Sequence, residues 1–204
     1  MPEISKFYGI IIYMYIDDHN PPISMCGMMI TKQITAKNKG DKEIKELYES
    51  AFPKNEQIPW NDLMRLIDEM HLDFTTYYDA GSFVGLTIVY PRSLFNWFWY
   101  FAVREELRNK GYGQEMLRML IGKYKGQTMV FDMESPQQAC GNIVQRHRRH
   151  AFYLRNGFRD TNVFRSYDNL EMTIMMIGKG TFTLQDWDDM TNELRQHWRW
   201  EDSM

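Results

Sequence analysis

Cysteine is nearly absent: Cys26 and Cys140 are the only two among 204 residues. So distant a pair makes neither a disulfide framework nor a metal motif, and fits thiols kept reduced. A charge excess of one sign is also missing. The formal net charge is -3, which excludes the basic footprint of generic nucleic-acid binding. Long apolar runs are missing too. The longest, Phe7 to Ile16, is about half of the ~20 residues needed to span a bilayer. It does not read as a secretion signal, because Glu3 precedes it, Asp17-Asp18-His19 follow it, and no small-residue cleavage pattern appears. These absences lead us to expect a cytoplasmic protein without nucleic-acid or membrane partners. No internal repeat or low-complexity tract breaks the chain. What is abundant is aromatic surface, 15% of residues, and methionine, with sixteen copies. Both suit a core of large, adaptable side chains, and the length suits one domain, or one domain with an appendage.

Residues 1–22 read as a strand closed by Asp17-Asp18-His19-Asn20-Pro21-Pro22. This run resembles the opening of a family of small bacterial proteins of unknown function. The resemblance stops at Pro22, where Ile23-Ser24-Met25-Cys26 follows, and it brings no site with it. Met28-Met29-Ile30-Thr31-Lys32 looks like an independent start, so residues 1–27 are expected to be an appended strand or fragment, and 28–204 the main domain. An ordinary extra edge strand is the alternative.

From Met29 the patterning is clear. Met29 to Ala36 alternates as a strand, and a turn follows at Asn38–Asp41. Ile44, Leu47, Tyr48, Ala51 and Phe52 then share one helical face, and Pro53 closes that helix. Trp60, Leu63, Met64, Ile67 and Met70 mark a second. Strands are expected at Leu72–Tyr78, Phe83–Tyr90 and Phe95–Val103, the first two joined by the turn residues Asp79-Ala80-Gly81-Ser82. A helix carrying Met116, Leu117, Leu120, Ile121 and Tyr124 ends at Gly126. A buried strand, Thr128–Met133, comes next. A helix from about Ile143 stops at Asn156-Gly157, and strands follow near Val163–Tyr167 and Leu170–Ile177. A C-terminal helical extension begins at about Thr183, capped by Thr183 with Asp186, with Trp187, Met190, Leu194 and Trp198 on one face. The expected class is α/β (α+β), a mixed sheet with helices on both faces and a C-terminal helix.

The stretch Arg108-Asn109-Lys110-Gly111-Tyr112-Gly113 lies between an aromatic strand and a helix. Unpaired loop N–H groups, glycine and the positive end of the helix dipole make such a place an anion cradle. A dinucleotide fingerprint needs a third glycine where Met116 stands, and neither Gly111 nor Gly122 opens a Walker string. Both common nucleotide readings fail. Further on, Tyr153-Leu154-Arg155-Asn156-Gly157-Phe158 puts a tyrosine four residues ahead of a Gly-Phe pair at a helix end.

Together, Arg108-x-x-Gly111-x-Gly113 and Tyr153-x3-Gly157-Phe158 resemble the GNAT superfamily of N-acetyltransferases, over residues 29–177. The resemblance implies a GNAT-like acyl-CoA N-acyltransferase fold. It also implies an enzyme moving an acetyl group from acetyl-CoA, as co-substrate and without a metal, to a primary amine on a small molecule or peptide. A homodimer is left open. Pantetheine would pair with the strand end at Phe101, Ala102 and Val103. The pyrophosphate would rest on the N–H groups of Asn109, Lys110, Gly111, Tyr112, Gly113 and Gln114, with Arg108 as charge partner. Asn142 matches a pantetheine contact loosely. Tyr153 matches the general acid that protonates the coenzyme A sulfur; merely packing on the sheet is its alternative. Glu134, at the end of the following strand, is the candidate base, or else a cap or salt-bridge residue. Glu105 and Glu106 read as solvated.

Three further features have a plain reading and a sharper one. Arg146-His147-Arg148-Arg149-His150 is the one dense basic cluster, and helical spacing must turn part of it to solvent; the sharper reading sends one or two members to phosphates or an acidic acceptor. Trp97, Trp99, Tyr77 and Tyr78 form sheet core or a pocket for a cation. A covalent step on Cys140 lacks a base in sequence contact, so direct attack by the amine is preferred. The rival to an enzyme is a catalytically silent acyl-CoA-binding module.

Overall fold

The computed structural model describes residues 29–35, 42–54, 56–167 and 169–197. The amphipathic segments around Ile44 and Leu63 become helices α1 (Lys42–Ala51) and α2 (Trp60–Glu69), after strand β1 (Ile30–Ile34). The alternating and aromatic runs become β2 (Asp73–Asp79), β3 (Ser82–Tyr90) and β4 (Asn96–Val103). A 3-10 turn, Glu105–Leu107, leads to α3 (Tyr112–Lys123), β5 (Met129–Glu134) and α4 (Ile143–Arg155). The chain continues through β6 (Arg159–Tyr167) and β7 (Leu170–Ile177) to α5 (Leu184–His197). This is the element order expected from Met29 onward. The proposed N-terminal strand, the turn at Asn38–Asp41 and Trp198 lie outside the described residues.

β6 starts well before the expected Val163. Its register with β7 shifts between Asp160 and Phe164, and Asn162 is left-handed at φ 62°. The irregularity breaks the alternation, so only the later half of the strand shows in the pattern.

The seven strands form one mixed sheet in the order β1-β2-β3-β4-β5-β7-β6. All neighbours are antiparallel except β4 and β5. One face carries α1, α2 and α5, through Tyr48 on Tyr100, Trp60 on Phe74 and Trp187 on Trp97. Each such ring pair contributes about 0.5–1.5 kcal/mol beyond area burial. The other face carries α3 and α4. Lys123 of α3 and its C-cap Tyr124 hold Asp73, and Tyr153 of α4 packs on Phe131. The helix α5 shares this core, since Trp187, Met190 and Leu194 are buried within it. Its start is a reciprocal cap: Asp186 N–H donates to Thr183 Oγ1 at 3.2 Å, and Thr183 N–H donates to Asp186 Oδ2 at 2.8 Å.

The approach of α3 to the sheet depends on one residue without a side chain. A Cβ at Gly85 of β3 would lie 2.3 Å from the Ala102 carbonyl oxygen and 2.9 Å from Met116 Cε. The methionine can yield; the strand backbone cannot. Gly85→Ala is therefore expected to cost about 1–3 kcal/mol, as overpacking does. A lower urea midpoint at unchanged m-value would register it.

Candidate active site

Parallel pairing between β4 and β5 is confined to Asn96 with Met129 and Trp97 with Val130. Yet β4 runs on to Val103 and β5 to Glu134. The two strands therefore part in the middle of the sheet, and backbone N–H and C=O groups face the gap at ladder spacing. An extended ligand with amide groups can complete such an edge. Phe98 and Phe131, the residues just past the last pair, meet there with ring centroids 5.8 Å apart. Phe101, Ala102 and Val103 lie farther along the open part of β4, all of them buried.

The opposite edge of β4 carries an irregularity beside the parting. Ile88 faces Tyr100 and Val89 faces Phe98, so Trp99 is an extra residue in the ladder. The bulge makes residues three apart share a face: Trp97 meets Trp187 while Tyr100 meets Tyr48. A bulge bends its strand and re-aims its peptide groups, which are common features next to active sites.

At the end of β4 the chain enters the glycine loop. Asn109 and Gly111 are both left-handed, at φ 61° and 84°, a conformation that gathers successive N–H groups into a concavity. Gly111 is the N-cap of α3, and no side chain caps that end. The first-turn N–H groups at Tyr112, Gly113 and Gln114 are thus available to an anion. Half-buried Arg108 donates from Nε to the Val103 carbonyl at 3.3 Å, which keeps its guanidinium by the end of β4. Lys110 is exposed. Two side chains pin the loop, those of Tyr112 and Gln114, which the sequence singles out only for their backbone N–H groups. Tyr112 Oη donates to Asp79 Oδ2 at 2.7 Å, at the tip of the β2–β3 hairpin. Gln114 and Asn156 exchange amide hydrogen bonds between α3 and α4.

Tyr153 projects from α4 to the crotch of the split. Its ring lies 4.4 Å from that of Phe131 and 5.6 Å from that of Phe158. It is 1% exposed, and its hydroxyl has no hydrogen-bond partner among the described residues. Burial pushes its phenol well above the ordinary tyrosine value; the positive charge of Arg149 acts in the opposite direction. The hydroxyl is therefore protonated through the neutral range and able to donate.

Glu134 is not an open carboxylate. It is buried, and Arg146 Nη2 donates to its Oε1 at 2.9 Å while Arg149 Nη2 donates to its Oε2. Of its two sequence readings, the geometry matches the salt bridge. The basic cluster is divided accordingly: Arg146 and Arg149 are buried on Glu134, His147 and Arg148 face solvent, and His150 meets Asp160 at 2.9 Å. Asn142, the N-cap of α4, accepts from Cys140 Sγ at 2.9 Å. An amide oxygen is not a base, so this contact does nothing to activate the thiol.

The four aromatic residues are not gathered into one pocket, although Lys32 Nζ lies 4.2 Å from the Tyr78 ring centroid. Trp97 packs on Trp187, Trp99 stacks on Tyr100, Tyr77 bonds Thr87 and Tyr78 meets Phe83. Tyr77 and Tyr78 are neighbours on β2 and therefore point to opposite faces of the sheet. Glu105 and Glu106 are exposed, as expected. With Glu43, Glu46, Glu49 and Arg104 they line an open cleft of about 500 Å³ between α1 and the 3-10 turn. Among the described residues no group of three or more His, Cys, Asp or Glu side chains is arranged to hold a metal. No described helix is long and apolar enough to cross a membrane.

Comparison with known proteins shows what the chain is similar to. The family model for the acetyltransferase (GNAT) domain matches residues 71–160, from the start of β2 to the start of β6. A GNAT-family protein of Bacteroides thetaiotaomicron superposes with a TM-score of 0.67 at 23% identity, over 82% of this chain and 96% of its own. The ribosomal-protein-S18-alanine N-acetyltransferase of Escherichia coli gives a TM-score of 0.56 at 14% identity, over 76% and 100% of the two chains. A Bacillus subtilis acetyltransferase solved in complex with CoA gives 0.54 at 15% identity, over 75% and 100%. No curated protein sequence matches the chain significantly.

Proposed function

With residues 71–160 forming a GNAT acetyltransferase domain on a GNAT fold, we propose that the protein transfers acetyl from acetyl-CoA directly to a primary amine, with Tyr153 as general acid. The observation that carries this reading is the parting of β4 from β5 immediately upstream of an uncapped, glycine-opened helix N-terminus. A long substrate with amide groups and a pyrophosphate fits such a run: an open strand edge first, then an anion cradle. The related Bacillus subtilis enzyme bound to CoA supports that choice of ligand.

In this reading the amides of pantetheine complete the edge of β4 at Phe101, Ala102 and Val103. The diphosphate rests on the N–H groups from Asn109 to Gln114, with Arg108 and Lys110 supplying charge. A β4 N–H facing the gap polarises the thioester carbonyl as negative charge grows on its oxygen. The neutral amine attacks, the C–S bond breaks, and the thiolate takes the Tyr153 proton as it leaves. The proton shed by the nitrogen goes to solvent, which also restores the tyrosine. Glu134 is occupied by two guanidinium groups, so we assign it no base role. Deprotonation of the acceptor then depends on pH, and kcat/KM rises as the acceptor's ammonium group titrates.

A thiol-release assay with acetyl-CoA and a panel of small-molecule and peptide amines tests the proposal. Turnover with any amine supports it. Tight coenzyme A binding without thiol release across the panel would instead favour the silent acyl-CoA-binding module. The loop can be tested separately. Tyr112→Phe removes one hydrogen bond to a carboxylate, about 1 kcal/mol of loop tethering. Calorimetry is expected to show coenzyme A affinity weakened about fivefold, with kcat retained at saturation.

A further inference from the structure

Tyr153 and Arg149 are one helical turn apart on α4, so their side chains share a face of the helix. Both are buried, at 1% and 4% exposure. Burying a guanidinium is costly unless something fixes and neutralises it. Glu134 does both, accepting from Arg149 with one oxygen and from Arg146 with the other. Two cations on one carboxylate leave the trio with a net positive charge. The surplus lies on the helix turn preceding the tyrosine whose hydroxyl has no hydrogen-bond partner among the described residues.

Resting on the reading of Tyr153 as the acid, we propose that Arg149, clamped by Glu134, is its positioning residue: the guanidinium stabilises the phenolate left when the hydroxyl gives its proton to the coenzyme A sulfur. In that step the tyrosine O–H bond breaks and an S–H bond forms. The negative charge moves from sulfur to the phenolic oxygen, and solvent later returns the proton. A phenolate forming there is packed against the rings of Phe131, Phe152 and Phe158. A fixed positive charge one turn away lowers the cost of forming it.

Three other titratable or charged groups on these elements have interactions of their own. On α4, Arg146 also donates to the Ser135 carbonyl and Gln138 Oε1, each at 3.3 Å, and His150 meets Asp160 of β6 at 2.9 Å. On β5, Asp132 is buried with interactions of its own. The influence of Arg149 on the Tyr153 phenol is toward easier ionisation, against the effect of burial.

The test reads the phenol itself and requires neither acetyl-CoA nor an acceptor. A polyfluorinated tyrosine, which ionises at lower pH, is placed at position 153 and titrated by fluorine NMR in the whole protein. In the Arg149→Met background its pKa is expected to rise, and in Arg149→Lys to stay near the parent value. The direction discriminates between roles. A substitution that merely loosens packing admits water and lowers the pKa of a buried phenol, whereas loss of a stabilising charge raises it. An unchanged or lowered value in Arg149→Met, with the fold intact by circular dichroism, overturns the proposal. Arg149→Gln keeps a donor for Glu134 and takes its place should the methionine variant not fold. If the titration moves as expected but thiol release is absent from the parent protein, the acetyltransferase reading has failed while the pairing stands.

Discussion

Replacing Tyr153 by phenylalanine is expected to lower kcat for acetyl transfer about a hundredfold or more, the range of a positioned general acid. KM for acetyl-CoA should hardly move, because the ring and its packing on Phe131 and Phe158 are kept. Stability should move the other way. The Tyr153 hydroxyl is buried without a partner among the described residues, and such a group carries an uncompensated desolvation penalty of about 1–3 kcal/mol. Tyr153→Phe removes that penalty, so the variant should melt at a higher temperature than the parent. A protein both more stable and less active is the mark of a polar group retained for chemistry. Unchanged kcat under conditions where chemistry limits the rate would remove Tyr153 from the mechanism. The pH dependence follows from the raised phenol: an acid stays protonated until pH passes its pKa, and burial moves that point upward. The kcat of the parent should therefore show no alkaline fall from this group up to about pH 9.

Glu134→Ala is expected to have the largest effect on stability of any single substitution in the site. It leaves Arg146 and Arg149 buried on one helix with no carboxylate between them. Removing one partner from a buried ion pair costs about 3–5 kcal/mol, since the remaining charge is uncompensated. For a protein of this size that corresponds to a fall in Tm of about 10 °C. The damage should reach residues 135–142 as well, because Arg146 also holds the Ser135 carbonyl and the Gln138 side chain. Circular dichroism melting checks the first effect and amide exchange in that segment the second. The double replacement of Glu134 by Leu and Arg149 by Met should recover part of the loss, as apolar substitutes for buried ion pairs often do. A Glu134→Ala protein that melts with the parent would show that the carboxylate carries no such load.

Much of this molecule is visible in local pattern. The segments at Ile44–Phe52 and Trp60–Met70 are helical because their apolar residues recur at helical spacing, and β2, β3 and β7 show as strands because theirs do not. Gly111, Gly126 and Gly157 mark turns, and each is left-handed in the fold. The pair formed by the Arg108–Gly113 loop and the Tyr153–Phe158 segment points to the family because both motifs depend on short-range spacing. Irregular places are less legible. The early half of β6 is obscured by its bulge at Asn162, and nothing in the aromatic run of β4 marks the bulge at Trp99.

The sequence by itself determined the element order, the glycine loop and the tyrosine that follows it, since each is written within a few residues of chain. Only the tertiary structure decided where β4 and β5 part, beyond Trp97 and Val130, which no local pattern encodes. It likewise decided that Glu134 is held by two arginines rather than open to an amine, and that Tyr112 and Gln114 tether the loop to distant elements. The physical reason is range. Periodicity and turn chemistry act between neighbours in sequence, whereas the burial of a charge and the splay of two strands depend on which distant segments the core brings together.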